Sequence, residues 1–156
     1  MTTPRWLSDD EQQFWRLMLA AIRKVEHHIE NVLQDGPGLT TSEFAVLVSL
    51  SESPDKEIRL RDLCADLDWD RSRTSHQVTR MEKRGLVTKQ RCIGDARGII
   101  IELTEEGERR IREAAPFHVE SVREIVFDSL NEELKEPVAE FLQNILDQPV
   151  GRPRNQ

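Results

Sequence analysis

The sequence predicts a mainly α fold with a small β-hairpin, the hairpin and a pair of short helices being set between long amphipathic helices. Three observations predict it. Apolar residues recur at three-and-four spacing over long stretches at both ends of the 156-residue chain. Two alternating segments, 87–91 and 99–103, flank a glycine-bounded turn. The composition is 37% hydrophobic and 33% charged, a balance expected of solvated helices that each keep one stripe dry. The absence of Tyr, with five Phe, seven Gly and seven Pro, argues against an aromatic-rich barrel or a turn-dense sandwich.

Taken in order, Ser8 and Glu11 form a capping box that opens a first helix. Phe14, Leu17, Met18, Ala21, Ile22, Val25, Ile29, Val32 and Leu33 supply its stripe, and Gly36-Pro37-Gly38 stops it. Thr40 and Glu43 repeat the capping box for a second helix, with Leu39 placed to staple onto Phe44. Phe44, Leu47, Val48 and Leu50 form its buried face, and Ser53-Pro54-Asp55 ends it. Residues 58–60 read as a short extended piece and 61–67 as a short third helix. Asp70 caps a fourth helix over 71–84, which Gly85 closes. The hairpin follows, and Thr104 caps a long helix running towards Ser129, with a kink expected at Pro116. Asn131 opens the last helix, which carries an unfavourable internal Pro137. The expected organisation is a long N-terminal helix (8–35), a central unit of short helices and hairpin (39–103), C-terminal helices (104–148) and a loose tail (149–156).

The net charge of −7 hides an asymmetry. Residues 71–97 hold Arg71, Arg73, Arg80, Lys83, Arg84, Lys89, Arg91 and Arg97 against only Glu82 and Asp95, a net +6 that leaves −13 on the rest. One basic stretch on an acidic body suits a polyanion bound in one orientation. On a helical wheel Thr74, Val78 and Met81 cluster towards the core. Arg73, His76, Thr79, Arg80 and Lys83 face away, with no carboxylate among them. An apolar back with a Ser/Arg/His/Gln front fits a major groove: Arg forks onto guanine edges and Gln onto adenine, while Ser and Lys reach phosphates. The hairpin adds a wing, whose Arg97 suits a narrow minor groove and whose Asp95 can hold that guanidinium in one pose.

These residues resemble the MarR family. The resemblance rests on Leu63-Cys64-Ala65-Asp66-Leu67, Ser72 to Arg80, Met81-Glu82-Lys83-Arg84-Gly85-Leu86-Val87, Asp95-Ala96-Arg97 and Leu103-Thr104-Glu105-Glu106-Gly107, in order and at the family's distances. It spans residues 9–147. It implies a winged-helix transcriptional regulator, usually a repressor, dimeric through its terminal helices. The expected partners are a palindromic double-stranded DNA site and a second copy of the chain, with release by a small organic effector left open. Arg71, Ser72, Arg73, Ser75, His76, Gln77, Arg80 and Lys83 fall on the expected recognition helix, and Asp95 and Arg97 match the wing pair. Arg59 departs from the family pattern, standing where a Ser or Thr often caps the third helix.

Two further readings stay open. One is a helical protein-interaction module with a vestigial winged helix, against which the intact basic face and the Asp95/Arg97 pair speak. The other is a cysteine-based redox-sensing regulator, because Cys92 lies near Arg91 and Arg97, where positive charge favours a thiolate. Cys64 reads as a small buried hydrophobe, and two cysteines cannot build a disulfide framework or a four-cysteine zinc site. His27 and His28 point about 100° apart on a helix, so no metal site with His118 is expected. Trp6, Trp15 and Trp69 read as core or staple residues. No phosphate-cradling loop or nucleophile set is present, so neither an enzyme nor a cofactor is expected. The apolar runs are far shorter than a membrane span, and the N-terminus carries no signal core; a cytoplasmic protein with no membrane partner is expected.

Overall fold

Ser8 opens α1 (Asp9–Asp35) as expected: its hydroxyl accepts from the Glu11 backbone, and the Glu11 carboxylate accepts from the Ser8 N–H. The same reciprocal box, Thr40 with Glu43, opens α2 (Thr41–Glu52). The computed structural model describes residues 3–94 and 98–150. After α2 a short turn, Pro54–Lys56, passes through positive φ at Asp55 and Lys56. The chain continues through β1 (Glu57–Arg59), α3 (Leu60–Leu67) and α4 (Arg71–Lys83), then β2 (Val87–Arg91), β3 (Ile99–Leu103) and α5 (Glu105–Val122). The last helix is α6 (Glu132–Leu146).

The short extended piece at 57–59 does more than connect. It pairs antiparallel with β3, opposing Ile58 to Ile101, so the expected two-stranded hairpin becomes the outer part of a three-stranded sheet ordered β1-β3-β2. Ile101 is thereby central and fully buried. It joins a core built of Leu33, Leu39, Leu47, Leu50, Leu63, Val78, Met81 and Leu86. Leu39 and Phe44 are both buried, as a staple requires. α2 buries more of its circumference than its expected face, since Val46 is also enclosed.

Pro116 does not break α5; the helix runs through it. Pro116 and Arg112, whose carbonyl loses its helical donor, are both exposed, so water can satisfy that carbonyl. An irregularity follows at Arg123–Phe127, where the bonding widens to a π turn and Asp128 N–H reaches Arg123 O. α6 likewise runs through Pro137, and every one of its residues is exposed in the single chain.

α1 and α6 therefore present largely open apolar faces. Phe14, Trp15, Leu17 and Ile22 lie open on α1, and Val138, Phe141, Leu142 and Ile145 on α6. Phe14 and Phe141 meet edge to face with ring centres 6.1 Å apart. Trp6 and Trp15 lie exposed in the single chain, contrary to the core reading, because the described residues leave both indoles largely uncovered. Trp69 alone of the three tryptophans packs on the core.

Candidate nucleic-acid interface

The α3–α4 turn is made by two aspartates with different tasks. Asp68 takes a left-handed conformation that ends α3, an excursion its short polar side chain tolerates. Asp70 then caps α4: its Oδ1 accepts from the Arg73 backbone at 2.8 Å. The Thr74 hydroxyl donates to Asp70 O at 2.9 Å, which lets this polar side chain be fully buried.

α4 is two-faced. Thr74, Gln77, Val78 and Met81 are buried, whereas Arg71, Ser72, Arg73, Ser75, His76, Arg80 and Lys83 are exposed. Gln77 is thus a correction to the expected reading face. It is only 5% exposed, and its Oε1 accepts from Arg80 Nη2 at 2.6 Å. The helix turns position 77 to the same side as Thr74 and Met81, three residues before and four after. That spacing was the signal for its burial.

Two arginines of the exposed face are held by neighbours: Arg80 by Gln77, and Arg73 by Trp69, over whose ring its guanidinium carbon lies 4.1 Å from the centroid. Among the described residues, no side-chain hydrogen bond or ion pair engages Arg71, Ser72, Ser75, His76 or Lys83. The one carboxylate of the helix, Glu82, is turned towards the sheet. It accepts from the Lys89 backbone at 2.9 Å and lies 3.7 Å from the Lys89 ammonium, tying β2 to α4. At the far end Arg84 pairs with the buried Glu43 at 2.5 Å and donates to Gly38 O at 3.2 Å, bracing α4 against the α1–α2 loop. The outward face is left cationic.

At the hairpin, Cys92 N–H donates to Gly98 O at 2.9 Å, and Gly94 supplies a positive φ for the turn. Asp95 and Arg97 lie outside the described residues. Cys64 and Cys92 are free and half-buried, Cys64 packing on the core. His27 is exposed, His28 Nε2 lies 3.3 Å from Glu124, and His118 stacks on Phe44 with ring centres 4.5 Å apart. Burial pushes the His118 imidazole below its ordinary value. Among the described residues no group of His, Cys, Asp or Glu could hold a metal ion.

A cleft of about 570 Å³ lies beside the start of α4, between α1, α2 and α5. Its walls include Ile29, Leu33, Phe44, Trp69, Arg73 and His118. On its rim, partial burial pushes the Glu30 carboxyl up, but hydrogen bonds from the Thr41 hydroxyl and backbone and from Gln34 outweigh this and hold it below the ordinary carboxylate range. The sequence assigned no residue to the lining of this cleft, whose walls come from four separate helices and the α3–α4 turn.

The chain is similar over residues 28–114 to the family described as transcriptional regulator SarA/Rot. It is 36% identical to Sco3205 of Streptomyces coelicolor, a MarR family transcriptional regulator solved in complex with DNA; the likeness covers 97% of each chain with a TM-score of 0.88. It is 42% identical to AbsC, another MarR family regulator of that organism, over 90% of this chain and 99% of AbsC, with a TM-score of 0.79. The chain belongs to the MarR family of transcriptional regulators. It is therefore a regulator rather than an enzyme. A more distant relative, the HTH-type transcriptional repressor YetL of Bacillus subtilis, is 24% identical over 131 residues, covering 84% of this chain and 78% of YetL. For this MarR family member the fold expected from the sequence is the fold observed, with the pairing of β1 to β3 as the addition.

Proposed function

We propose that this MarR family chain is a dimeric, sequence-specific DNA-binding repressor acting in the cytoplasm. The observation that carries the reading is the carboxylate-free cationic face of α4, set on a buried apolar back and braced at both ends. α4 enters the major groove. Ser72, Arg73, Ser75, His76 and Arg80 meet base edges and phosphates, and Arg71 and Lys83 take phosphates. The 92–98 wing approaches the minor groove through Arg97, with Asp95 orienting it. A second copy covers the open apolar faces of α1 and α6, and a two-fold pair of α4 helices about 34 Å apart calls for a palindromic site. The cleft beside Trp69 and Arg73 is the seat of a small organic effector that releases the DNA, since it is largely apolar and adjoins the reading helix.

The test is an anisotropy titration with the DNA flanking the protein's own coding region against scrambled DNA, at two salt concentrations. Tight, salt-sensitive, sequence-preferring binding is expected. Arg80→Ala should weaken it by roughly 1–3 kcal/mol and relax sequence preference, and Arg97→Ala should weaken it too. Weak binding indifferent to sequence, or unchanged affinity in both variants, would overturn the docking and return the helical interaction module as the better reading.

A further inference from the structure

We infer that Gln77 is a positioning residue for sequence readout: buried beneath the DNA-facing surface, it holds the Arg80 guanidinium in the pose that discriminates one base pair. This rests on the docking proposed above and adds to it a residue that touches no DNA.

Gln77 and Arg80 are three residues apart on α4, so their side chains are neighbours on the helix surface. Gln77 is 5% exposed, on the flank shared with Thr74, Val78 and Met81, yet its carbonyl oxygen emerges far enough to accept from Arg80 Nη2 at 2.6 Å. A buried helical glutamine has little rotational freedom, so the acceptor is fixed in space. The guanidinium is a planar fork with five donors, and one bond to a fixed acceptor, added to the side chain's own tether to α4, narrows the range of poses that fork can take. The donors left over still point outward, because Arg80 itself is exposed.

A fixed fork matters for a base and little for a phosphate. Bidentate contact with guanine O6 and N7 requires two donors in one plane at one angle. A phosphate accepts from a wide range of directions. The rest of α4 fits this division: Arg71 and Lys83 have no hydrogen-bonding or ion-pairing side-chain partner among the described residues and are free to follow the backbone of the duplex. Arg73 is held as well, but by a ring face, which restrains its distance more than its direction.

The experiment compares full-length wild type with Gln77→Met, which keeps an unbranched side chain of similar size and removes the oxygen, and Gln77→Glu, which keeps an acceptor. Thermal unfolding and dimer mass are checked first. A preferred duplex is enriched from a random pool by the wild-type protein, and every base pair of its half-site is then substituted in turn. Gln77→Met should lose discrimination roughly five- to tenfold, at the base pair where Arg80→Ala also loses it, with an unchanged salt slope. Gln77→Glu should bind all probes less tightly, since it adds a negative charge near DNA, but keep the discrimination. The inference is overturned if Gln77→Met keeps the wild-type profile, if it weakens all probes equally, or if Gln77→Glu loses discrimination as Gln77→Met does. If Arg80→Ala leaves the profile unchanged, or the pool yields no preferred duplex, the docking itself fails and takes this inference with it.

Discussion

Gly107→Ala sets helix propensity against packing, and the two predict opposite signs. Gly107 lies in the first turn of α5 and is buried. Propensity alone predicts that alanine stabilises a helical position by roughly 0.5–1 kcal/mol. A Cβ at this position, however, would stand 2.1 Å from Leu86 O, 2.7 Å from Leu103 Cδ1 and 3.1 Å from Leu86 C. A carbon–oxygen contact needs about 3.3 Å, so the surfaces must part by roughly an ångström. The closest atom is backbone, so no side-chain rotation relieves it. Leu86 O also accepts from Thr104 N–H, and the Thr104 hydroxyl donates to Gly85 O at 2.7 Å. Lifting α5 off the end of α4 strains both bonds. Overpacking costs about 1–3 kcal/mol, and loosening two hydrogen bonds adds roughly 1 kcal/mol each. Against the propensity gain, the net is a destabilisation of roughly 2–4 kcal/mol, or a fall in Tm of about 5–15 °C for a chain of this size. Urea and thermal unfolding followed by circular dichroism, at one protein concentration because self-association shifts apparent stability, measure it. A midpoint equal to or above that of the wild type would refute the packing argument.

Other consequences follow from the same geometry. Asp70→Ala removes the acceptor of the Arg73 N–H and should cost about 0.5–2 kcal/mol in urea unfolding, with weaker DNA binding because the frayed turn carries Ser72 and Arg73. Arg84→Ala leaves the Glu43 carboxylate buried without its cation. Water reaches the half-exposed arginine side, so the expected loss is about 1–3 kcal/mol; adding Glu43→Gln should recover part of it, and no recovery would count against the pair. Burial holds the His118 imidazole below its ordinary value, so the unfolded chain takes up that proton first. Its stabilising contribution is complete above about pH 6.5 and is lost as the pH falls below that towards the folded-state value. His118→Phe, which keeps a ring against Phe44, should flatten the stability profile just below about pH 6.5; parallel profiles for the two proteins would refute the assignment.

What the sequence disclosed was local. The caps of α1, α2, α4 and α5 each need a hydroxyl or carboxylate one residue before a periodic stripe, and Ser8, Thr40, Asp70 and Thr104 all bond as that pattern requires. Arg59 breaks the pattern, and no side-chain hydrogen bond caps α3 there. The pairing of β1 was hidden because three residues carry no periodicity of their own; the sheet exists only once β3 supplies Ile101 and Ile100 opposite Ile58 and Arg59. Pro116 lies inside α5 without ending it, and the carbonyl of Arg112 that it leaves without a donor faces solvent, where water can satisfy it.

Gln77 is the more instructive case. Its position on the wheel was legible, but its polarity argued for the surface. Structure resolves the conflict by burying the stem and letting one oxygen meet Arg80 at the boundary. The cleft has no local signature at all, since Ile29, Phe44, Trp69 and His118 are brought together only by packing α1, α2 and α5 around the α3–α4 turn. Trp69 takes part in three of these features at once. Its ring packs on the core, walls the cleft and carries Arg73 on its face. A ligand seated in that cleft would touch both the indole and Arg73, so on the docking proposed above the chemistry of the cleft bears directly on an arginine of the reading helix.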